Sequence, residues 1–476
     1  MKEPPWFPGW VAPITCAGLC LGLAGCAIGG RPPAILYAAA EPMVEHRAGM
    51  IDEPVFGGQL YLFEAGPLEE TDEVETVVLV HGLSDQGVGD WRHVVPGLAR
   101  RYRVLVLDLP GFARSDKGDH HYSFERYGEL LHWLIEERAV GPVTLVGHSL
   151  GGALALFHAD RWPNDVSRLI LVDTAGVLHR TAYLKYVASL RGTGIFSKSP
   201  DLREGLNDFI GWLLEATEKL PGTDRLGQIL ADRKLRRRYL RSDPSAVAGA
   251  AMTEVDFSQR LHLIEQPTLV IWGEDDDVAP VRTGQVLSAR LPDVRMRILP
   301  DVGHAPMLES PEAFNRLLLA TLDSWPPAEP LRLPEQVPSH RVGTCRGRDD
   351  VSFRGDYARL EIQGCDRVQV RDGSIGQVII DNASVEFHNV RIDADQVGLQ
   401  AGESSVVLTN VRVEADTALL LDNARIDMAA VELVGRRSAV RSVNDSNLVF
   451  SICRIQSPHG SGTLHGAFEF NEDSKL

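Results

Sequence analysis

The chain has 476 residues, 44% of them hydrophobic and 24% charged, and a formal net charge of −17. This composition is that of a folded protein of more than one domain and excludes a disordered chain. The acidic balance argues against nucleic acid as a partner, because phosphate binding needs a concentrated basic face.

At the N-terminus MKEPPWFPGW precedes the apolar run VAPITCAGLCLGLAGCAIGG. Its Pro and Gly leave it short of the roughly 20 clean apolar residues that a spanning helix needs. A run of this kind ending in small residues predicts an export signal over residues 1–25. The ending Leu23-Ala24-Gly25-Cys26 resembles the lipobox of bacterial lipoproteins. That resemblance implies a lipidated Cys26 as the mature N-terminus and anchoring to a membrane. Ala27 in place of an acidic residue implies the outer membrane, on its periplasmic or its surface face. Residues 26–54 lack period and are expected to form a tether. With Cys16 and Cys20 removed and Cys26 lipidated, Cys345, Cys365 and Cys453 remain, so at most one disulfide forms.

From residue 55 short β-branched runs alternate with helix-length segments such as 125–138 and 151–160. The runs are GGQLYLF (57–63), ETVVLVHG (75–82), YRVLVLDLPG (102–111), GPVTLVGHS (141–149), SRLILVD (167–173), QPTLVIWGEDD (266–276) and VRMRILPD (294–301). They predict an α/β fold, with a mostly parallel sheet covered on both faces, over residues 55–173 and 267–325. Ligands of such sheets sit beyond the carboxyl ends of the strands, so the chemistry is sought just after each run.

Between residues 174 and 266 the rhythm is helical, with an apolar stripe in NDFIGWLLEATEKL (207–220), and a cap over the strand ends is expected. RKLRRRYLR (233–241) within it reads as a solvated helix face, with a lipid headgroup or acidic substrate contact as the alternative. After PEAFNRLLLATLDSW (311–325), the Pro-rich residues 326–340 form a semi-rigid linker.

Gly147-His148-Ser149-Leu150-Gly151 fits G-x-S-x-G directly after a strand and before a helix of small residues. The serine of that pattern sits on a sharp turn, and the flanking glycines let backbones pass close. A serine hydroxyl is a weak nucleophile until an imidazole, itself held by a carboxylate, takes its proton. WGEDDDVAP (272–280) and PDVGHAPMLESPEAF (300–314) supply Asp276 and His304 after two later strands. Asp275 and Asp277 are alternatives for the acid, and Asp173, after the strand SRLILVD, is an outside candidate.

The order Ser, Asp, His over about residues 55–325 resembles the α/β-hydrolase superfamily, in particular its esterases with a helical cap. Matching the family pattern W-G-x-x-D-x-x-x-P places the acid at Asp276. The resemblance also implies that the backbone N–H groups of Leu83, in His81-Gly82-Leu83, and of Leu150 hold the oxyanion. His81, Asp108 and Ser115 are expected to shape loops, and His148 to be structural or pocket-lining. No cofactor or metal is implied.

Residues 341–476 repeat. IIDNASVEFHNVRI (379–392), LQAGESSVVLTNVRV (399–413), LLLDNARIDMAAVEL (419–433) and RSVNDSNLVFSICRI (441–455) share one layout, and IQGCDRVQV (362–370) is a shorter preceding copy. Val385, Val406, Ile426 and Leu448 correspond, and strand parity flips at Asn389, Asn410, Ala430 and Ile452. The layout resembles a short right-handed parallel β-helix of about five coils. Arg391, Arg412, Glu432 and Arg454 are expected at one outward position, Cys453 inside, and Cys345 and Cys365 within reach of pairing across adjacent coils.

The expected function is a lipid-anchored, envelope-facing serine hydrolase cleaving carboxylic, lipid-like esters through an acyl-enzyme on Ser149. Thioesterase, peptidase and carbon–carbon hydrolase activities of the same fold are alternatives. In a further alternative, residues 341–476 are the working module and bind an envelope polysaccharide or protein.

Overall fold

The computed structural model describes residues 45–68, 74–190, 226–472, 474 and 476. The export signal, Cys26 and the helix expected over 207–220 lie outside the described residues.

The first half of the chain builds an eight-stranded sheet. Its strands are β1 (His46–Glu53), β2 (Gly58–Ala65), β3 (Thr76–Val80), β4 (Arg103–Leu107), β5 (Val143–His148), β6 (Arg168–Val172), β7 (Thr268–Gly273) and β8 (Val294–Leu299). Their spatial order is β1-β2-β4-β3-β5-β6-β7-β8. β1, β2 and β4 pair antiparallel, and every later neighbour is parallel. Every residue of β3, β4, β5 and β7 is buried, because helices cover both faces of a parallel sheet.

β1 corrects the expected tether, since residues 46–53 already belong to the sheet. It is an edge strand with an exposed face, HRAGMIDE, and so carries no continuous apolar run to announce it. Glu53 ends it by accepting the amides of Val55 and Phe56, both at 2.8 Å.

The helices follow in chain order: α1 (Val95–Leu98), α2 (Phe124–Arg138), α3 (Leu150–Arg161), α4 (Arg180–Leu190), α5 (Leu226–Ala231), α6 (Arg233–Tyr239), α7 (Pro244–Met252), α8 (Val281–Arg290), α9 (Pro306–Glu309) and α10 (Pro311–Asp323). The helices α4 to α7 fall within residues 174–266, where a cap is expected. Asp232 caps α6 by accepting the amides of Lys234 and Leu235, and Asp243 caps α7 ahead of Pro244 at its first turn. The basic run on α6 is mixed in role. Arg236 is buried and donates to the carbonyls of Leu230 and Ala231, whereas Arg233 pairs with Asp119 at the surface.

The linker holds no helix or strand between residues 326 and 340. It is strapped down by Glu329 N–H to the Val294 carbonyl (2.7 Å) and Leu331 N–H to that of Ser288 (2.9 Å).

Beyond it, β9 (Val342–Arg346), β10 (Ser352–Arg354), β11 (Tyr357–Gln363), β12 (Val368–Asp381), β13 (Ser384–Asp393), β14 (Val397–Gly402), β15 (Ser405–Asp422), β16 (Arg425–Ala429), β17 (Glu432–Ser442) and β18 (Ser446–Ser457) pair in parallel. Val368, Val385, Val406, Ile426 and Leu448 are successive Cα partners, which is the correspondence expected from the repeats. Asn389, Asn410, Ala430 and Ile452 all have φ between 48° and 56°, so each parity flip is a left-handed corner. The outward row Arg391, Arg412, Glu432 and Arg454 is likewise in register, and Arg412 forms ion pairs with Glu414 and Glu432. Cys345 and Cys365 form a disulfide across adjacent coils. Cys453 is a buried free thiol, and burial pushes it up to about 11.

The last strand, β19 (Gly460–Phe470), reverses direction and pairs antiparallel with β18. The repeat pattern contained no sign of it. The stack and the sheet share a core, for Ala429, Ala430, Val449 and Ile452 pack in the same buried cluster as the hydrophobic residues of the first half.

Candidate active site

Ser149 joins β5 to α3 with φ 53° and ψ −114°, a conformation that non-glycine residues rarely adopt. The turn closes only because its neighbours lack side chains. A Cβ on Gly147 would collide with the Gly151 carbonyl, and one on Gly151 with the Val80 carbonyl. The Ser149 N–H donates to the Val172 carbonyl at 2.9 Å, which locks the corner to β6.

The two other residues arrive on loops that meet for the same reason. A Cβ on Gly273 would strike the Gly303 carbonyl, so the loops after β7 and β8 touch there. His304 Nε2 lies 3.0 Å from Ser149 Oγ, and Nδ1 lies 2.8 Å from Asp276 Oδ2. With Nδ1–H donating to the carboxylate, Nε2 is left as the acceptor for the serine hydroxyl. All three side chains are buried.

The structure selects Asp276 from its acidic neighbours by turn geometry. Asp276 Oδ1 accepts the amides of Val278 (2.8 Å) and Ala279 (2.9 Å), leaving Oδ2 for the imidazole. Trp272 Nε1–H donates to the Ala279 carbonyl at 2.9 Å and closes the same loop. Asp173, the outside candidate, instead accepts the Gly273 amide at 2.9 Å. Asp173 is fully buried, and that burial, with the charge of Asp276 beside it, pushes its carboxyl well above the ordinary carboxylate range.

Leu150 is the first residue of α3, so its N–H has no acceptor within the helix and faces the positive end of its dipole. The Gly82–Leu83 turn is held against Ser149: a Cβ on Gly82 would lie 2.9 Å from Ser149 Cβ. His81 shapes that turn, with Nδ1–H donating to the Gly82 carbonyl (2.7 Å) and Nε2 accepting the Leu109 amide (2.9 Å). Asp108 accepts the Val88 amide and pairs with Arg114, while Ser115 Oγ accepts the Tyr61 amide. These are the loop-shaping roles expected of the three residues.

His148 is buried, and burial holds its imidazole well below its usual range, with the nearby His304 adding to the effect. Its Nε2–H donates to the His304 carbonyl at 2.7 Å, so it supports the loop of the base. Polar atoms of His148, Asp173 and His304 lie within 4.8 Å of one another. Both His304 nitrogens are already engaged with Asp276 and Ser149, so this cluster braces the corner and is not a free ligand set.

Two supporting residues escaped the sequence reading. Glu309 accepts the amides of Gly303 (2.8 Å) and Ala305 (3.2 Å), gripping the chain on either side of His304. Its place five residues after the histidine was the available signal. Tyr186 Oη–H donates to the Asp276 carbonyl at 2.6 Å from 90 residues away, and nothing local signals that.

Residues 75–311 match the family described as alpha/beta hydrolase fold. The chain is 33% identical over 253 residues to a 2-hydroxy-6-oxononadienedioate/2-hydroxy-6-oxononatrienedioate hydrolase of Cupriavidus pinatubonensis, covering 52% of this chain and 86% of that protein. It is 29% identical over 267 residues to a 2-hydroxy-6-oxo-6-(2'-aminophenyl)hexa-2,4-dienoic acid hydrolase of Metapseudomonas resinovorans, covering 53% of this chain and 86% of that protein. Among solved structures, an esterase from Exiguobacterium antarcticum matches 58% of this chain and 100% of its own, at 21% identity and a TM-score of 0.44.

Proposed function

Since the chain belongs to the α/β-hydrolase family, we propose that it is a serine-dependent hydrolase that cleaves carboxylic esters through an acyl-enzyme on Ser149. The observation that carries this reading is the unbroken line from Ser149 Oγ through His304 to Asp276. Ser149 Oγ attacks the ester carbonyl as His304 Nε2 takes its proton, and the imidazolium is stabilised by Asp276. The amides of Leu83 and Leu150 receive the oxyanion, each such donor contributing about 3–4 kcal/mol to the transition state. His304 then returns the proton to the departing alcohol. Water repeats the attack, releasing the acid and restoring the serine.

A fluorophosphonate probe is expected to label the wild type and spare Ser149→Ala. Equal labelling of both would sink the assignment.

A second reading, carbon–carbon hydrolysis, is favoured by the names of the two relatives above. p-Nitrophenyl esters and a 2-hydroxy-6-oxodienoate, assayed on one preparation, separate the two readings by their kcat/KM. Thioester and peptide substrates belong in the same panel.

The reading also includes export and lipidation at Cys26, supported by Leu23-Ala24-Gly25-Cys26 at the end of the apolar run. Incorporation of labelled fatty acid that persists in Cys26→Ala would remove that part.

A further inference from the structure

Helix α8 begins five residues after Asp276, and both of its ends are tied to the C-terminal stack. At its start, Arg282 Nε donates to Thr409 Oγ1 (2.7 Å) and Nη1 to Asp427 Oδ1 (3.0 Å). Its Nη2 donates to the carbonyls of Leu408 (3.1 Å) and Asp427 (3.2 Å). At its end, Arg290 Nη2 donates to the Ile452 carbonyl at 3.3 Å.

The Arg282–Asp427 pair is 12% exposed on each side. An ion pair so nearly desolvated adds little net stability over apolar packing, but its planar fork of donors fixes position and direction. What it fixes is the start of α8. The short segment between Arg282 and Asp276 includes Val278 and Ala279, whose amides hold Asp276 Oδ1. A displacement at Arg282 is therefore passed to the carboxylate that orients His304. Tyr186 grips the Asp276 carbonyl from the cap, so the acid loop is clamped between the cap on one side and the stack on the other.

We propose that Arg282 is a positioning residue of the hydrolase site: anchored on Thr409, Leu408 and Asp427, it holds the Asp276 loop where its carboxylate meets His304. The C-terminal stack is then a brace for the active site. This rests on the hydrolase reading of Ser149 given above.

The full chain is tested with Arg282→Ala, Arg282→Lys and Arg290→Ala, reading kcat and KM on a p-nitrophenyl ester, fluorophosphonate labelling and thermal melting. Arg282→Ala is expected to lower kcat by about 10- to 100-fold with KM nearly unchanged, as expected for a small misplacement of a catalytic group. Arg282→Lys, which keeps a cation opposite Asp427 but loses the planar fork, should recover only part of the loss. Arg290→Ala loosens the other end of the same helix and should keep kcat near wild type. A wild-type kcat in Arg282→Ala, or an equal loss in Arg290→Ala, would overturn the proposal by leaving only domain docking. Should Arg282→Ala not fold, Thr409→Val, which removes one of the four bonds, takes its place, and an unchanged kcat there counts against the proposal. If the wild type shows no Ser149-dependent labelling, it is the hydrolase reading that fails.

Discussion

In the eight-stranded sheet, Ser149 stands at one strand end with φ 53°, whereas in the stack Asn389, Asn410, Ala430 and Ile452 repeat nearly the same angle once per coil. A positive φ, which costs a non-glycine residue on the order of 1–3 kcal/mol, is common to both. Its use differs. At Ser149 it aims a hydroxyl at His304, and the surrounding glycines and the bond to Val172 hold it there. In the stack it turns a corner, and the side chains change along the row. Asn410 donates to Asn389 (3.0 Å) and Asn389 to Asp372 (3.1 Å), a polar ladder that runs from the exposed Asp372 in to the buried Asn410. Ala430 and Ile452 continue the row, but they pack in the core shared with the hydrolase half. Apolar side chains at these corners gain burial against that core, which offsets their poorer local fit to the left-handed conformation. The row records where one half of the molecule covers the other.

The contrast can be broken at either end. The largest expected effect is His304→Ala, which should remove about 10⁴-fold or more of ester turnover while leaving the melting temperature nearly unchanged. Phe387→Ala, fully buried in the stack, should do the reverse, costing about 3–5 kcal/mol in denaturant unfolding with Ser149 still labelled under native conditions. Cys365→Ser opens the loop of 20 residues closed by the disulfide and should cost about 3 kcal/mol, a loss that reductant reproduces on the wild type. Asn410→Ala removes one rung of the ladder and a residue suited to its corner, for about 1–2 kcal/mol by the same unfolding measurement.

The smallest effect is a pH dependence. His179 lies beside the stack, where its N–H donates to Ser451 Oγ and its ring meets that of His465. Burial, with His465 and Arg180 adding to it, pushes His179 down to about 4, opposed by Asp427 and Asp256; burial lowers His465 as well. A depressed histidine is neutral in the fold at pH values where the unfolded chain binds a proton. Stability should therefore be level above about pH 6.5 and fall as pH drops from there towards 4. Melting curves of His179→Gln should show a shallower fall across that window, and an unchanged profile would remove His179 from the account.

The Ser149, Asp276 and His304 line was legible because each residue lies just beyond the carboxyl end of a strand, two of the three strands being wholly buried runs. The corners of the stack were legible because a left-handed residue flips the parity of a strand. Which of three consecutive aspartates orients the base was less open to reading, since it depends on the amides of Val278 and Ala279. Arg282 and Tyr186 were not legible: their partners lie 90 to 145 residues away, and neither stands in a local pattern. β1 and β19 escaped because edge strands keep a wet face.

β19 has one more effect. A stack of parallel coils offers the same hydrogen-bonding edge at every step, so an uncovered end is a template on which another molecule can add. The reversed β19 covers that end along β18, and its own outer side, with Gly460, Gly462 and Gly466 and the charge of Glu469, is a poor template. Among the described residues no strand pairs with the outer edge of β9, where Val342 is 59% exposed. Linear polymerisation requires two competent ends. With the β18 end covered by β19, a filament built edge to edge on this stack has no second surface on which to continue.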